Sequence, residues 1–179
     1  MEQEKKNLVQ VGDSFFKDAA IKELIEKNPY VSFIVLSALL EFLGKCNKLP
    51  RDFVTENESS RDCYDVINNL EALKEYRVLN YKVTHKKGKE IDKNYLYSGL
   101  RCGMLHAMLP AEDIILTPEE NDTQNKKIGA KILYEDFCKA WSELKEKEDI
   151  LQEMEKTTVL KIVESSTGST VNERVEILK

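Results

Sequence analysis

Arg101 and His106 stand five residues apart in the run Asn94-Tyr-Leu-Tyr-Ser-Gly-Leu-Arg-Cys-Gly-Met-Leu-His-Ala-Met-Leu-Pro110, whose other members are apolar, small or neutral. A helix of that composition needs neither residue for packing, and a charge buried in it is costly unless paired. Arginine holds phosphate in a fork of N–H donors, and histidine is the side chain best suited to moving protons near neutral pH. The chemistry that fits the pair is metal-independent cleavage of RNA. The ribose 2′-hydroxyl attacks the adjacent phosphorus, one group takes its proton, another assists the leaving oxygen, and a cation holds the phosphate as charge builds. Arg101 is the expected clamp and His106 the expected proton-transfer residue. The structural alternative is an arginine paired with a carboxylate of a neighbouring helix and a histidine satisfied near a helix C-terminus.

Five residues along a regular α-helix advance about 7.5 Å and turn through about 140°, so the two side chains do not point the same way. One copy of the motif makes a site only if the helix is bulged or the arginine curls round. Two copies meeting across a two-fold axis offer two histidines and two arginines, enough for acid, base and clamp, so a homodimer is expected. Ser98, Gly99, Cys102, Gly103 and His106 form a stripe of small side chains leading into the histidine. Glycines four apart let another backbone approach closely, which offsets the roughly 1 kcal/mol that each costs in a helix.

Tyr97, one turn before Arg101, and Cys102, beside it, are the supporting candidates. Tyrosines here either stack on a base or pack as amphipathic residues. Lys86, Lys87, Lys89 and Lys93 cluster just ahead of the motif. They read as an RNA-tracking patch whose grip weakens with salt, or as a solvated basic loop.

The elements that must position these residues are mostly helical. Residues 1–12 read as a polar lead. Asp13 or Ser14 then caps a helix carrying Phe15, Ala19, Leu24 and Ile25, which ends at Asn28-Pro29. A second helix, Tyr30–Cys46, is apolar nearly all round and belongs at the centre of a bundle. A third follows a serine cap at Ser59 or Ser60 and carries Cys63, Val66, Ile67, Leu70 and Leu73. Val78–Thr84 alternates as a strand does, and residues 85–89 form a basic loop. The motif helix is expected from about Asp92 to Met108, closed by Pro110. Ile114–Leu116 reads as a short strand, and a long amphipathic helix carries Ile128, Ile132, Phe137, Trp141 and Leu144, with a charged continuation or break over residues 145–155. The β-branched Thr157–Val163, the Thr-Gly-Ser turn signal and the alternating Val171–Leu178 predict a β-hairpin. The division expected is 1–156 as an α-helical bundle and 157–179 as an appendage packed on the bundle or on a partner.

The 179-residue chain carries a formal charge of −5, which argues against a generic basic nucleic-acid coat but not against a local basic groove. The longest apolar run, Tyr30–Leu43, is interrupted by Ser32, Ser37 and Glu41, and charged residues 1–6 precede no signal-type core, so a cytoplasmic protein without a membrane role is expected. Cys46, Cys63, Cys102 and Cys138 are widely spaced and only two histidines are present. Neither a zinc site nor a disulfide framework is expected, and no cofactor.

On Arg101-x-x-x-x-His106, the chain resembles the HEPN superfamily (higher eukaryote and prokaryote nucleotide-binding domains). Many members carry Arg, four to six residues, then His on a helix of a small bundle, often as Arg-Asn-x-x-x-His. Cys102 stands where many active members have Asn or another polar residue. The resemblance covers residues 14–145 as a helical layout. It implies a mainly α, HEPN-like antiparallel bundle, here with a small C-terminal β-hairpin. It also implies a homodimeric endoribonuclease of the kind found in toxin–antitoxin and phage-defence systems, with RNA as substrate and an antitoxin or other protein as partner. The alternative is a catalytically inactive HEPN-like module that binds a partner protein or a nucleotide.

Overall fold

In the computed structural model, residues 4–50, 59–84, 88–100, 114–162 and 174–178 are described, with backbone alone for 4–5, 159–162 and 174–178. A short strand, β1 (Glu4–Asn7), leads directly into α1 (Leu8–Phe16). The polar lead expected through Gly12 is thus already structured, because Asn7 and Gln10 form a reciprocal capping box at 2.9 and 3.0 Å and Leu8 is buried. The chain breaks at Lys17, and Asp18 caps α2 (Ala19–Lys27) by accepting the Ala20 N–H at 2.8 Å. Two helices therefore stand where one was expected. Phe16, Ile21 and Ile25 enter the core, while Phe15 is 39% exposed.

Pro29 opens α3 (Pro29–Cys46), where a missing N–H loses nothing and the fixed φ suits the first turn. Leu36, Leu40 and Leu43 are buried, whereas Tyr30 and Val31 are 58% and 47% exposed. Among the described residues α3 alone is long and apolar enough to cross a membrane (mean hydropathy 1.4), and half of it is buried within the protein, as in the central helix of a bundle. α4 (Ser59–Asn69) buries Cys63, Val66 and Ile67 against it. The third helix ends at Asn69, short of the expected Leu73. Leu70, Leu73 and Tyr76 are buried from the linker and the 3₁₀ segment Glu71–Leu79 that follow, whose first N–H groups, on Glu71 and Ala72, are both capped at 3.0 Å by the Glu143 carboxylate.

β2 (Asn80–Thr84) pairs antiparallel with β3 (Glu90–Asn94), Asn80 opposite Asn94. The helix expected from Asp92 therefore begins later. Asn94 caps a single turn, α5 (Tyr95–Tyr97), and a wider π-type turn continues over Ser98–Leu100. β4 (Ile115–Thr117) lies parallel to β5 (Lys127–Gly129), so Ile128, expected in the long amphipathic helix, sits in a strand. α6 (Ala130–Glu146) packs on α3 and on the 3₁₀ segment. The charged stretch after it breaks at Lys147 and resumes as α7 (Glu148–Lys156). β6 (Thr158–Ile162) sits between β1 and β7 (Arg174–Leu178), antiparallel to both. Hydrogen bonds from the N-terminal strand thus cross the boundary expected at residue 157. The whole is mainly helical with small sheets. Its core runs through Phe33, Leu36 and Leu40 of α3 to Phe137, Trp141 and Leu144 of α6.

Candidate nucleic-acid interface

Arg101, Cys102 and His106, and with them residues 101–113, lie outside the described residues, as do Lys86 and Lys87. The described chain reaches that segment at Leu100 and resumes at Ile114, and both side chains are buried in the core.

The approach to Arg101 is fixed by amides. Asn94 is fully buried. Its Nδ2 donates to Tyr76 O at 2.8 Å and to Asn80 Oδ1 at 2.7 Å, and its Oδ1 accepts the Leu96 N–H at 2.8 Å. Asn80 passes the chain on, donating to Asn68 Oδ1 of α4 at 2.9 Å. Such a group is expensive to bury with any bond unmade, so these partners together set where the turn begins. Ser98 Oγ adds bonds to Tyr81 Oη at 2.8 Å and to Asn94 O at 3.4 Å. Tyr81 and Tyr95 stack with centroids 4.0 Å apart, and the Lys126 ammonium lies 3.9 Å over the Tyr95 ring. Tyr97 is half-buried against the core. Asn94, an asparagine directly ahead of an apolar run, is the cap, two residues past the expected helix start at about Asp92.

Lys89 is exposed and Lys93 half-buried. Lys89 lies outside the strands, immediately before β3, in keeping with the loop expected there, whereas Lys93, expected at the start of the motif helix, is within β3 opposite Tyr81. Both line a groove of about 520 Å³ between β3 and α4, whose other wall carries Arg61 and Tyr64. No feature of the sequence tied those two α4 residues to the basic cluster.

The other groups with chemical potential are held inert or structural. Burial pushes the thiols of Cys46 and Cys138 up, away from the reactive thiolate, and Cys138 Sγ donates to Phe16 O at 3.4 Å. Burial, then the charge of Asp136 and its 3.0 Å hydrogen bond, push the Tyr76 phenol up. At Asp13, burial raises the carboxyl's pKa. Hydrogen bonds from Lys145, Lys17 and Trp141 Nε1, at 2.7, 2.8 and 2.8 Å, outweigh it and hold the group well below the usual carboxylate range. Among the described residues no group of three or more His, Cys, Asp or Glu is placed to hold a metal ion. Set against protein-family models, curated proteins and solved structures, the chain matches none.

Proposed function

We propose that this chain is a HEPN-like, metal-independent endoribonuclease that works as a homodimer in the cytoplasm, of the toxin–antitoxin or phage-defence kind, with its C-terminal strands as a β appendage. Arg101 clamps the scissile phosphate. His106 takes the proton of the attacking 2′-hydroxyl in one protomer. In its partner the same residue returns a proton to the 5′-oxygen as the P–O5′ bond breaks, leaving a cyclic phosphate. Tyr97 and Cys102 flank the pair, and Lys86, Lys87, Lys89 and Lys93 track the RNA.

The observation that carries this reading is the Arg-x4-His motif in a mainly helical chain, directly after a π-type turn at Ser98–Leu100. Hydrogen bonds in such a turn join residues five apart, and π-type turns recur at functional sites. The test is cleavage of RNA in EDTA by the parent, His106→Ala and Arg101→Ala. Cleavage by the parent and a drop of at least about a hundredfold in each variant are expected. A requirement for added metal, or activity untouched by either substitution, sinks the mechanism.

Cys102, where many active members of the family carry Asn, favours a second reading: a catalytically silent module that binds a partner protein or a nucleotide. In that case the parent does not cleave, and it co-purifies with or binds its ligand equally well when His106 is alanine.

A further inference from the structure

The groove between α4 and β3 has a charge pattern that its composition hides. It holds three carboxylates and three cations, so it looks neutral. Two of the carboxylates, however, are ion-paired with cations at its edges. Asp65 is 2.5 Å from Lys48, and Arg61 approaches it only to 4.0 Å. Glu90 is 3.1 Å from Lys82, and Asp92 stands directly across the ladder from Lys82. That leaves Lys89 and Lys93 with no carboxylate partner among the described residues and the Arg61 side chain 71% exposed. Tyr64 and Ile91 line the same groove. Lys89 and Lys93 are four residues apart along an extended chain, about 13 Å, so the positive wall is long rather than a point.

We infer that this groove is a binding track for single-stranded RNA, with Arg61, Lys89 and Lys93 on the phosphates and Tyr64 against a base. Spaced, unneutralised cations along one wall with an aromatic ring beside them are what a flexible phosphodiester chain requires. The inference rests on the ribonuclease reading and extends it. β3 carries Lys93 and ends in Asn94, the cap of the turn that precedes Arg101 in the chain. Arg61 and Tyr64, on a different helix, become determinants of substrate class.

The test uses fluorescence anisotropy of a short labelled oligouridine with full-length protein in EDTA, in a His106→Ala background so that the RNA survives. Arg61→Ala/Lys93→Ala is expected to weaken binding roughly tenfold. It should also flatten the log–log salt dependence by roughly 0.7 per cation removed. Tyr64→Leu should weaken binding while leaving the salt slope unchanged. Lys22→Ala/Lys131→Ala, in the separate groove between α2 and α6, should bind as the background does. Unchanged melting temperatures exclude loss of fold. The inference is overturned if the Arg61/Lys93 variant binds normally, if the control pair loses as much affinity, or if the background protein binds no RNA. The cleavage assay judges the ribonuclease reading separately. RNA held by the groove but never cut defeats that reading alone, and RNA cut with the groove variants binding normally defeats the groove alone.

Discussion

Two junctions in this molecule are built by opposite means. Where α1 crosses α6, the fit is steric. A Cβ added to Gly12 would lie 2.3 Å from Trp141 Cζ2 and 2.4 Å from Cη2, so the helices meet at this distance only because that position has no side chain. Where the β2–β3 hairpin hands over to α5, the fit is directional. Asn94 makes three hydrogen bonds to three separate pieces of chain, and no apolar residue of its shape can replace them. A steric joint fixes distance and accepts no added volume, while a hydrogen-bonded joint fixes angle and accepts no loss of donors. The bundle uses the first to hold itself together and the second to aim the chain that leads to the motif.

The contrast is sharpest at Gly12. Gly12→Ala should gain about 1 kcal/mol in helix propensity yet lose about 3 kcal/mol net, because the indole is buried and cannot swing away. Urea unfolding reads the change, and an alanine variant as stable as the parent would remove the steric half of the comparison. Asn94→Ala comes next, at about 2 kcal/mol for the donors and acceptor left unpaired. Its local signature separates it from Gly12→Ala: the Leu96 amide, bonded to Asn94 in the parent, should exchange with solvent much faster while amides of α6 keep their protection. Uniform loss of protection throughout would show that the junction is part of the global unit and not a local hinge.

The smallest effect concerns a polar bond grafted onto the steric joint. Asp13→Asn should lose about 1.5 kcal/mol at neutral pH, through weaker bonds to Lys145 and Lys17. The folded protein holds this carboxyl below its unfolded value of about 4. Its stabilisation is therefore fully present above that value and is lost as pH falls through the lower folded value. Denaturation midpoints of parent and variant should differ at pH 7 and converge below about pH 4. A gap that stays constant into acid would mean that the charge of Asp13 contributes nothing.

The sequence made the volume-driven parts of the fold visible and the directional parts hard to see. α3 and α6 stand out because long apolar stripes must be buried, and the expected Tyr30–Cys46 differs from the observed helix by one residue. β3 was obscured because its strand character comes from β2 across the ladder, a partner that no local window includes. β5 was missed for the same reason, its partner β4 being a dozen residues away. α1 was hidden by the polar letters around Leu8, although Asn7-x-x-Gln10 is a capping-box signature that could have been read. At the candidate site, Lys89 and Lys93 were legible as a basic cluster. Their groove was not, because Arg61 and Tyr64 reach it from across α4.

The pairing of β1 with β6 has a consequence for synthesis. Glu4 meets Lys161 and Asn7 meets Thr158, so the opening strand leaves the ribosome about 150 residues ahead of its match, a wait of roughly 8–30 s at ordinary elongation rates. During that interval the edge of β1 has no ladder to join, while the helices between the two strands are made one after another. The β1–β6 register therefore closes only after the helices between its two strands have been made.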